Sequence, residues 1–157
     1  MNLVVACDLD GGIAKDGSIP WRVPDDLKNF RQLTKRGKKN AVIMGRKTWE
    51  SLPGELKGRR NIVLSRRKIE GAECYTNIFE AEEAAKGCDN VWCIGGAEVY
   101  RQFLEMDRIQ EIHLSMVRER YTCDTFISLW FPAFRTTTIE NRNGYDYYIL
   151  KRYDYNK

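Results

Sequence analysis

The sequence predicts an α/β fold: a mixed, mostly parallel central sheet flanked by helices and closed by an antiparallel C-terminal hairpin. Three observations predict it. Short β-branched runs recur along the chain, helix-forming segments separate several of them, and an Asn-Gly pair sits between two strand-like runs near the end. In order, the runs are Leu3–Ala6, Ala41–Met44, Asn61–Leu64, Val91–Ile94 and Ile109–Met116. Each is short, apolar and bounded by glycine or charge, the pattern of a buried strand.

The first helix is expected from Pro24 to Leu33. Proline suits the first turn, and Asp25 and Asp26 complement the positive end of the helix dipole. Phe79–Lys86, rich in Ala and Glu, and Ala97–Leu104, which follows a glycine pair, are the next helices. The stretch after Gly45 is also helical. Finally, Arg135–Glu140 and Tyr145–Tyr153 flank Asn141-Arg142-Asn143-Gly144, where Asn143-Gly144 supplies the tight hairpin turn.

A chain of 157 residues suits one domain, expected to span 1–157. Hydrophobic residues make up 43% and charged ones 31%, enough apolar content to exclude a disordered chain. The net charge of +4 suits an anionic ligand without arguing for nucleic acid. The apolar run Leu3–Cys7 is too short for a signal peptide, and no stretch approaches the roughly 20 apolar residues of a membrane span. The expected setting is the cytoplasm, with no membrane partner. Cys7, Cys74, Cys88, Cys93 and Cys123 are odd in number and lack a C-x-x-C pair, so free buried thiols are expected. With His113 the sole histidine, inside an apolar run, no metal site is expected.

Three segments carry chemistry. Helical spacing puts Asp26 and Phe30 on one face, near Leu27 and Leu33, while Asp25 turns toward water. From this segment alone, an ordinary first-turn acid accounts for Asp26 equally well. A buried carboxylate needs a partner, and an amidine-like N–H pair, as on pterin and pyrimidine rings, fits its two oxygens. Second, Ile94-Gly95-Gly96-Ala97-Glu98-Val99-Tyr100 joins a strand end to a helix start, where free backbone N–H groups favour phosphate. A plain strand-to-helix turn also uses Gly-Gly. Third, Gly45-Arg46-Lys47-Thr48 and Leu64-Ser65-Arg66-Arg67 repeat a strand end followed by hydroxyl and cations. They fit a phosphate monoester grip, or simply a charged surface. Lys35-Arg36-Gly37-Lys38-Lys39 reads as a solvated loop, and Tyr145, Tyr147, Tyr148 and Tyr153 as sheet-packing residues.

Read together, the segments resemble the dihydrofolate reductase family along almost the whole chain. The matching pieces come in family order: Val5-Ala6, Gly12-Ile13-Ala14, Ile19-Pro20-Trp21, Pro24-Asp25-Asp26-Leu27-x-x-Phe30, Val42 to Ser51, Leu56-Lys57-Gly58-Arg59, Ile94-Gly95-Gly96 with Val99-Tyr100, and Asp124-Thr125-Phe126. The resemblance implies reduction of dihydrofolate to tetrahydrofolate, with hydride from NADPH reaching C6 and a proton reaching N5. It makes Asp26 the carboxylate that binds the pterin edge, with Trp21 beside it. Substrate would touch Val4, Ala6, Leu27, Phe30, Leu52, Ile94, Tyr100 and Ser115, and Arg59 would pair with the glutamate tail. The cofactor would touch Ala6, Ile13, Gly17, Ser18, Ile19, Gly45, Arg46, Lys47, Thr48, Leu64, Ser65, Arg66, Gly95, Gly96, Ala97, Glu98, Val99 and Thr125. Gly95-Gly96 matches a pair joined by a cis peptide, and Gly11 to Pro24 matches a mobile loop. The family also implies antifolate binding, a monomer and a place in one-carbon metabolism and thymidylate synthesis.

The chain departs from the family pattern at Lys57, at Ser18-Ile19 before Pro20, at Ala97, and in the longer Ser128-Leu129-Trp130-Phe131 segment. None removes an essential group. Rival readings are a related pyrimidine reductase of riboflavin synthesis, a binding module without turnover, and a nucleic-acid binder built on Lys35–Lys39 and Arg66–Lys68. The Pro-Trp…Asp-Leu-x-x-Phe pattern argues against the first, and intact Asp26, Trp21 and Gly95-Gly96 against the second.

Overall fold

The computed structural model describes residues 1–153; the end of the expected 1–157 domain lies outside the described residues. Ten strands and four helices follow one another along the described chain. Eight strands form one sheet in the order β5-β4-β3-β6-β1-β7-β10-β9, and β2 pairs with β8 in a separate two-stranded sheet. These strands are β1 Asn2–Cys7, β2 Gly12–Ala14, β3 Asn40–Gly45, β4 Arg60–Leu64, β5 Glu73–Tyr75, β6 Asn90–Gly95, β7 Glu111–Val117, β8 Thr125–Phe126, β9 Phe134–Arg142 and β10 Tyr145–Arg152.

All neighbours from β5 to β7 run parallel, and β10 lies antiparallel between β7 and β9. The expected mixed sheet is therefore the observed one. Its central strands are apolar on both faces, as parallel strands under helices must be. Val42, Ile43, Met44, Ile62, Val63, Trp92 and Cys93 have no exposed surface. Arg142 pairs with Tyr145, so the hairpin turn is the two-residue Asn143-Gly144, with Gly144 at φ +94°. Asn141 and Arg142 belong to the strand rather than to the turn.

Boundaries shift at other places too. β7 starts at Glu111, leaving Ile109 in the preceding turn, where its carbonyl accepts from Arg152 Nε. The third helix, α3 Ile78–Ala84, starts earlier than Phe79 because Asn77 caps it by accepting from Glu80 N at 2.9 Å. The other helices are α1 Pro24–Thr34, α2 Arg46–Ser51 and α4 Ala97–Glu105. Strands β2, β5 and β8 have two or three residues each, too few to show a period in sequence.

Of the five free cysteines, Cys7 and Cys93 are buried, whereas Cys74, Cys88 and Cys123 are half-buried. His113 is a core residue: Nδ1 meets the Tyr147 hydroxyl, Nε2 meets Glu111 Oε1 at 3.0 Å, and Trp92 packs edge-on. Burial lowers its pKa, with Glu111 opposing. Among the described residues, no cluster of His, Cys, Asp and Glu could hold a metal, and no helix is long and apolar enough to cross a membrane.

Candidate active site

The site begins with one helix turn laid against one strand. Proline opens α1 and no side chain caps it; Val23 O receives the Asp26 and Leu27 N–H groups. This turn aims Asp26 at β7, where the buried Ser115 hydroxyl donates to Asp26 Oδ1 at 2.6 Å. Burial raises the Asp26 pKa. The Ser115 bond opposes that shift, Asp25 adds to it, and Arg142 opposes it more weakly. The result is a carboxyl group whose pKa is raised and whose side-chain donor is the Ser115 hydroxyl.

Asp25 does not simply face water. Its Oδ2 accepts from the Tyr145 hydroxyl at 2.9 Å, which ties the first turn of α1 to β10. One turn along, Asn29 Oδ1 accepts from Arg142 Nη1 at 3.2 Å, while Asn29 Nδ2 is buried without a partner. Trp21 packs against Tyr121, with ring centroids 5.2 Å apart, and against the Val117–Tyr145–Tyr147 cluster.

Below Asp26 the α1 face is apolar. Val4 and Ile94 belong to a buried cluster that includes Leu33 and Met44, and Phe30 and Leu52 pack onto it. Leu27 stays 44% exposed, an apolar side chain only partly covered by protein. At the far end of α1, Arg59 Nη1 donates to Thr34 Oγ1 and Nε to Lys57 O, both at 3.0 Å. Its bonds go to neutral oxygens only, and burial together with Arg31 lowers its pKa. That guanidinium is suited to an anion.

A cleft of about 810 Å³ opens beside this recess. Its floor is made by strand ends: Ala6 of β1, Gly45 of β3, Leu64 of β4 and Ile94 of β6. One wall carries Arg46, Lys47 and Thr48 of α2, with Ser65 and Arg66 beyond β4. Cations in the first turn of α2 oppose the helix dipole, and no acid occupies that turn. Glu50 lies 3.4 Å from Arg46, an exposed pair of small worth. A second wall is the start of α4, from Gly96 through Ala97, Glu98 and Val99 to Tyr100. The small β2–β8 sheet and the loop after β2 supply the third, with Ile13, Thr125, Gly17 and Ile19.

Two glycines are packed closely against side chains here. A Cβ on Gly45 would stand 3.1 Å from Val99 Cγ2, and one on Gly95 would stand 2.9 Å from the Tyr100 ring at φ +111°. The Gly95–Gly96 peptide is cis. Tyr100 also donates to Val4 O at 2.8 Å, fixing α4 to β1.

The structure therefore gathers most of the expected cofactor contacts around one cleft, with two outside it. Gly95 lies beneath the wall, and the exposed Ser18 forms a bridge with Lys15. Of the expected substrate contacts, Ala6, Ile94 and Tyr100 line the cleft, whereas Val4, Phe30, Leu52, Asp26 and Ser115 form the adjoining recess. Arg59 lies at the distal end of α1. The register makes the join: Ala6 pairs with Ser115, so Asp26's partner sits one strand from the cleft floor. Sequence reading missed Ala14, Thr76, Asn77 and Gln102 on the cleft walls. The Asn77-x-x-Glu80 capping pattern could have identified Asn77, as it marks one more strand-to-helix junction.

A family model described as dihydrofolate reductase matches residues 1–154. A putative dihydrofolate reductase of Caenorhabditis elegans is 39% identical over 81% of this chain and 76% of its own length. The dihydrofolate reductase of Aedes albopictus is 37% identical over 80% of this chain and 77% of its own. A bifunctional dihydrofolate reductase-thymidylate synthase of Glycine max is 37% identical over 96% of this chain. The chain spans about a third of that bifunctional relative, 33% of its length.

Proposed function

This chain belongs to the dihydrofolate reductase family, and we propose that it reduces 7,8-dihydrofolate to 5,6,7,8-tetrahydrofolate with NADPH. The observation that carries this reading is the placement of Asp26. A carboxylate with a raised pKa, held by one hydroxyl, adjoins a cleft rich in cations and free helix N-termini.

The cleft fits a phosphorylated dinucleotide by its donor set. Arg46, Lys47 and Arg66 would hold a phosphate monoester, with Thr48 and Ser65 as hydroxyl donors. Gly96 and the start of α4 offer backbone N–H groups to a pyrophosphate. The apolar Ala6, Ile13 and Ile94 suit the nicotinamide end. When bound, NADPH supplies the hydride that goes to C6 of the substrate.

The chain's own part is to bind, orient and govern the proton. Asp26 would accept two hydrogen bonds from the N3 and 2-amino edge of the pterin. Val4, Phe30, Leu52 and Leu27 cover the ring faces, and Arg59 holds the tail carboxylate. Burial favours the protonated form of Asp26, and in this reading the group supports protonation of N5, through ordered water, as the hydride arrives. Trp21 shields that water from bulk solvent. Two flat rings held in register gain most from proximity and orientation. The product would serve one-carbon metabolism and thymidylate synthesis, from a cytoplasmic and monomeric enzyme that also takes antifolates.

The test follows the absorbance of reduced nicotinamide in purified protein with dihydrofolate. We expect substrate-dependent loss of signal. Asp26→Asn should cut the rate at pH 7 by roughly 10²-fold or more, with partial recovery in acid, where the substrate arrives protonated. Normal turnover in that variant would remove Asp26 from the role assigned to it.

A further inference from the structure

A second carboxylate is buried near the cleft and takes no part in the chemistry above. Asp8 follows β1 and is 1% exposed. Its two oxygens serve different segments. Oδ1 accepts from Asp10 N at 2.9 Å and Gly12 N at 2.8 Å, organising its own turn. Oδ2 reaches across the sequence to Tyr121 N at 2.9 Å and to Cys123 Sγ at 3.6 Å. Between those two contacts, Thr122 has φ +51°, a strained conformation for a β-branched residue that its surroundings must impose.

What Asp8 joins is the loop wall of the cleft. The turn leads into β2, which pairs with β8 just past Cys123, and Ile13, Ala14 and Thr125 from these strands line the cleft. Asp124 N donates to Ala14 O at 3.0 Å, so the two segments stay paired beyond the Asp8 contact. Tyr121, whose N–H Asp8 holds, is the residue on which Trp21 packs. Gly12 leaves no room for slack: a Cβ there would stand 2.6 Å from Cys123 Sγ and 3.0 Å from Asp8 Oδ1. Burial would raise the Asp8 pKa, yet the N–H groups of Tyr121, Gly12 and Asp10, with the Cys123 thiol, outweigh it and hold the carboxyl low.

We propose that Asp8 is a positioning residue: its Oδ2 grips the Tyr121–Cys123 segment and so sets the loop wall that closes on the cofactor. The inference rests on the cofactor reading above for its effect on binding, but not for the grip itself.

Asp8→Asn separates the two duties. The amide oxygen can keep the Asp10 and Gly12 bonds, whereas the NH₂ must face the Tyr121 N–H, donor against donor. In the ligand-free protein, exchange of the Tyr121 amide should quicken about 10-fold or more while the Gly12 amide keeps its protection. The NADPH dissociation constant, from fluorescence titration, should rise about 10-fold. Gly12→Ala, which wedges the same junction while leaving the carboxylate chemically intact, should move both readouts the same way. It decides the matter if Asp8→Asn does not fold. Unchanged Tyr121 exchange, or quickened exchange with NADPH affinity within about 2-fold of the parent, would overturn the proposal. Failure of the unsubstituted chain to bind NADPH would count against the cofactor reading, and amide exchange would still decide the grip.

Discussion

Asp8 and Asp26 both stand behind one cleft, the first buried and the second half-buried, yet their surroundings act in opposite directions. Asp8 receives two backbone N–H donors from its own turn and a third, with a thiol, from the Tyr121–Cys123 segment, and its pKa is lowered. Asp26 sits between a helix face and a strand with a single protein hydroxyl for a donor, and its pKa is raised. The fold saturates one carboxylate and starves the other. A saturated carboxylate holds structure together, whereas a starved one keeps bonding capacity that a ligand can use. Similar chemistry thus serves two ends, decided by how many N–H groups the backbone aims at each side chain.

The largest expected difference between the two is in stability. Asp8→Ala leaves three N–H groups, one buried and two partly buried, without that acceptor and should cost roughly 3 kcal/mol in urea unfolding. Asp26→Asn should cost little, or stabilise the protein at pH 7, since it removes a carboxylate that burial disfavours. Equal losses would erase the distinction.

Next comes the pH dependence, which should have opposite signs. Asp8 has a lowered folded pKa, so its stabilisation is present above the ordinary 3.8 and lost as pH falls through the lowered value. Asp26 has a raised folded pKa, so its contribution is complete below 3.8 and lost as pH rises through the raised value. Across acid pH, the stability deficit of Asp8→Asn against the parent should shrink as pH falls below 3.8, and Asp26→Asn should gain on the parent as pH rises above 3.8. The smallest effect belongs to Ser115→Ala. Loss of the one hydroxyl donor should raise the Asp26 pKa further and move the acid limb of the rate profile upward with it. An unmoved profile would mean that Ser115 does not tune the acid.

Of these two regions, one was far more legible in sequence. Helical spacing alone put Asp26 on the face of Phe30, and the long parallel strands announced themselves as β-branched runs. The cleft's glycine and cation junctions were visible for the same reason, since each is a local strand-to-helix step. Asp8 was passed over at the end of the first apolar run, although Asp8-Leu9-Asp10-Gly11 carries the residues of a side-chain-stabilised turn. Its decisive partners, Tyr121 and Cys123, lie more than a hundred positions away, and no local pattern reports a bond of that span. The tie between Asp25 and Tyr145 was hidden likewise, because it depends on β10 entering the sheet beside β7.

The most direct test is a carboxyl-carbon NMR titration of the ligand-free protein, with Asp8→Asn and Asp26→Asn used to assign the two signals. The account predicts that Asp8 titrates below 3.8 and Asp26 above it. If Asp26 titrates at or below 3.8, the recess does not hold a proton for the reaction, and the role given to Asp26 is contradicted.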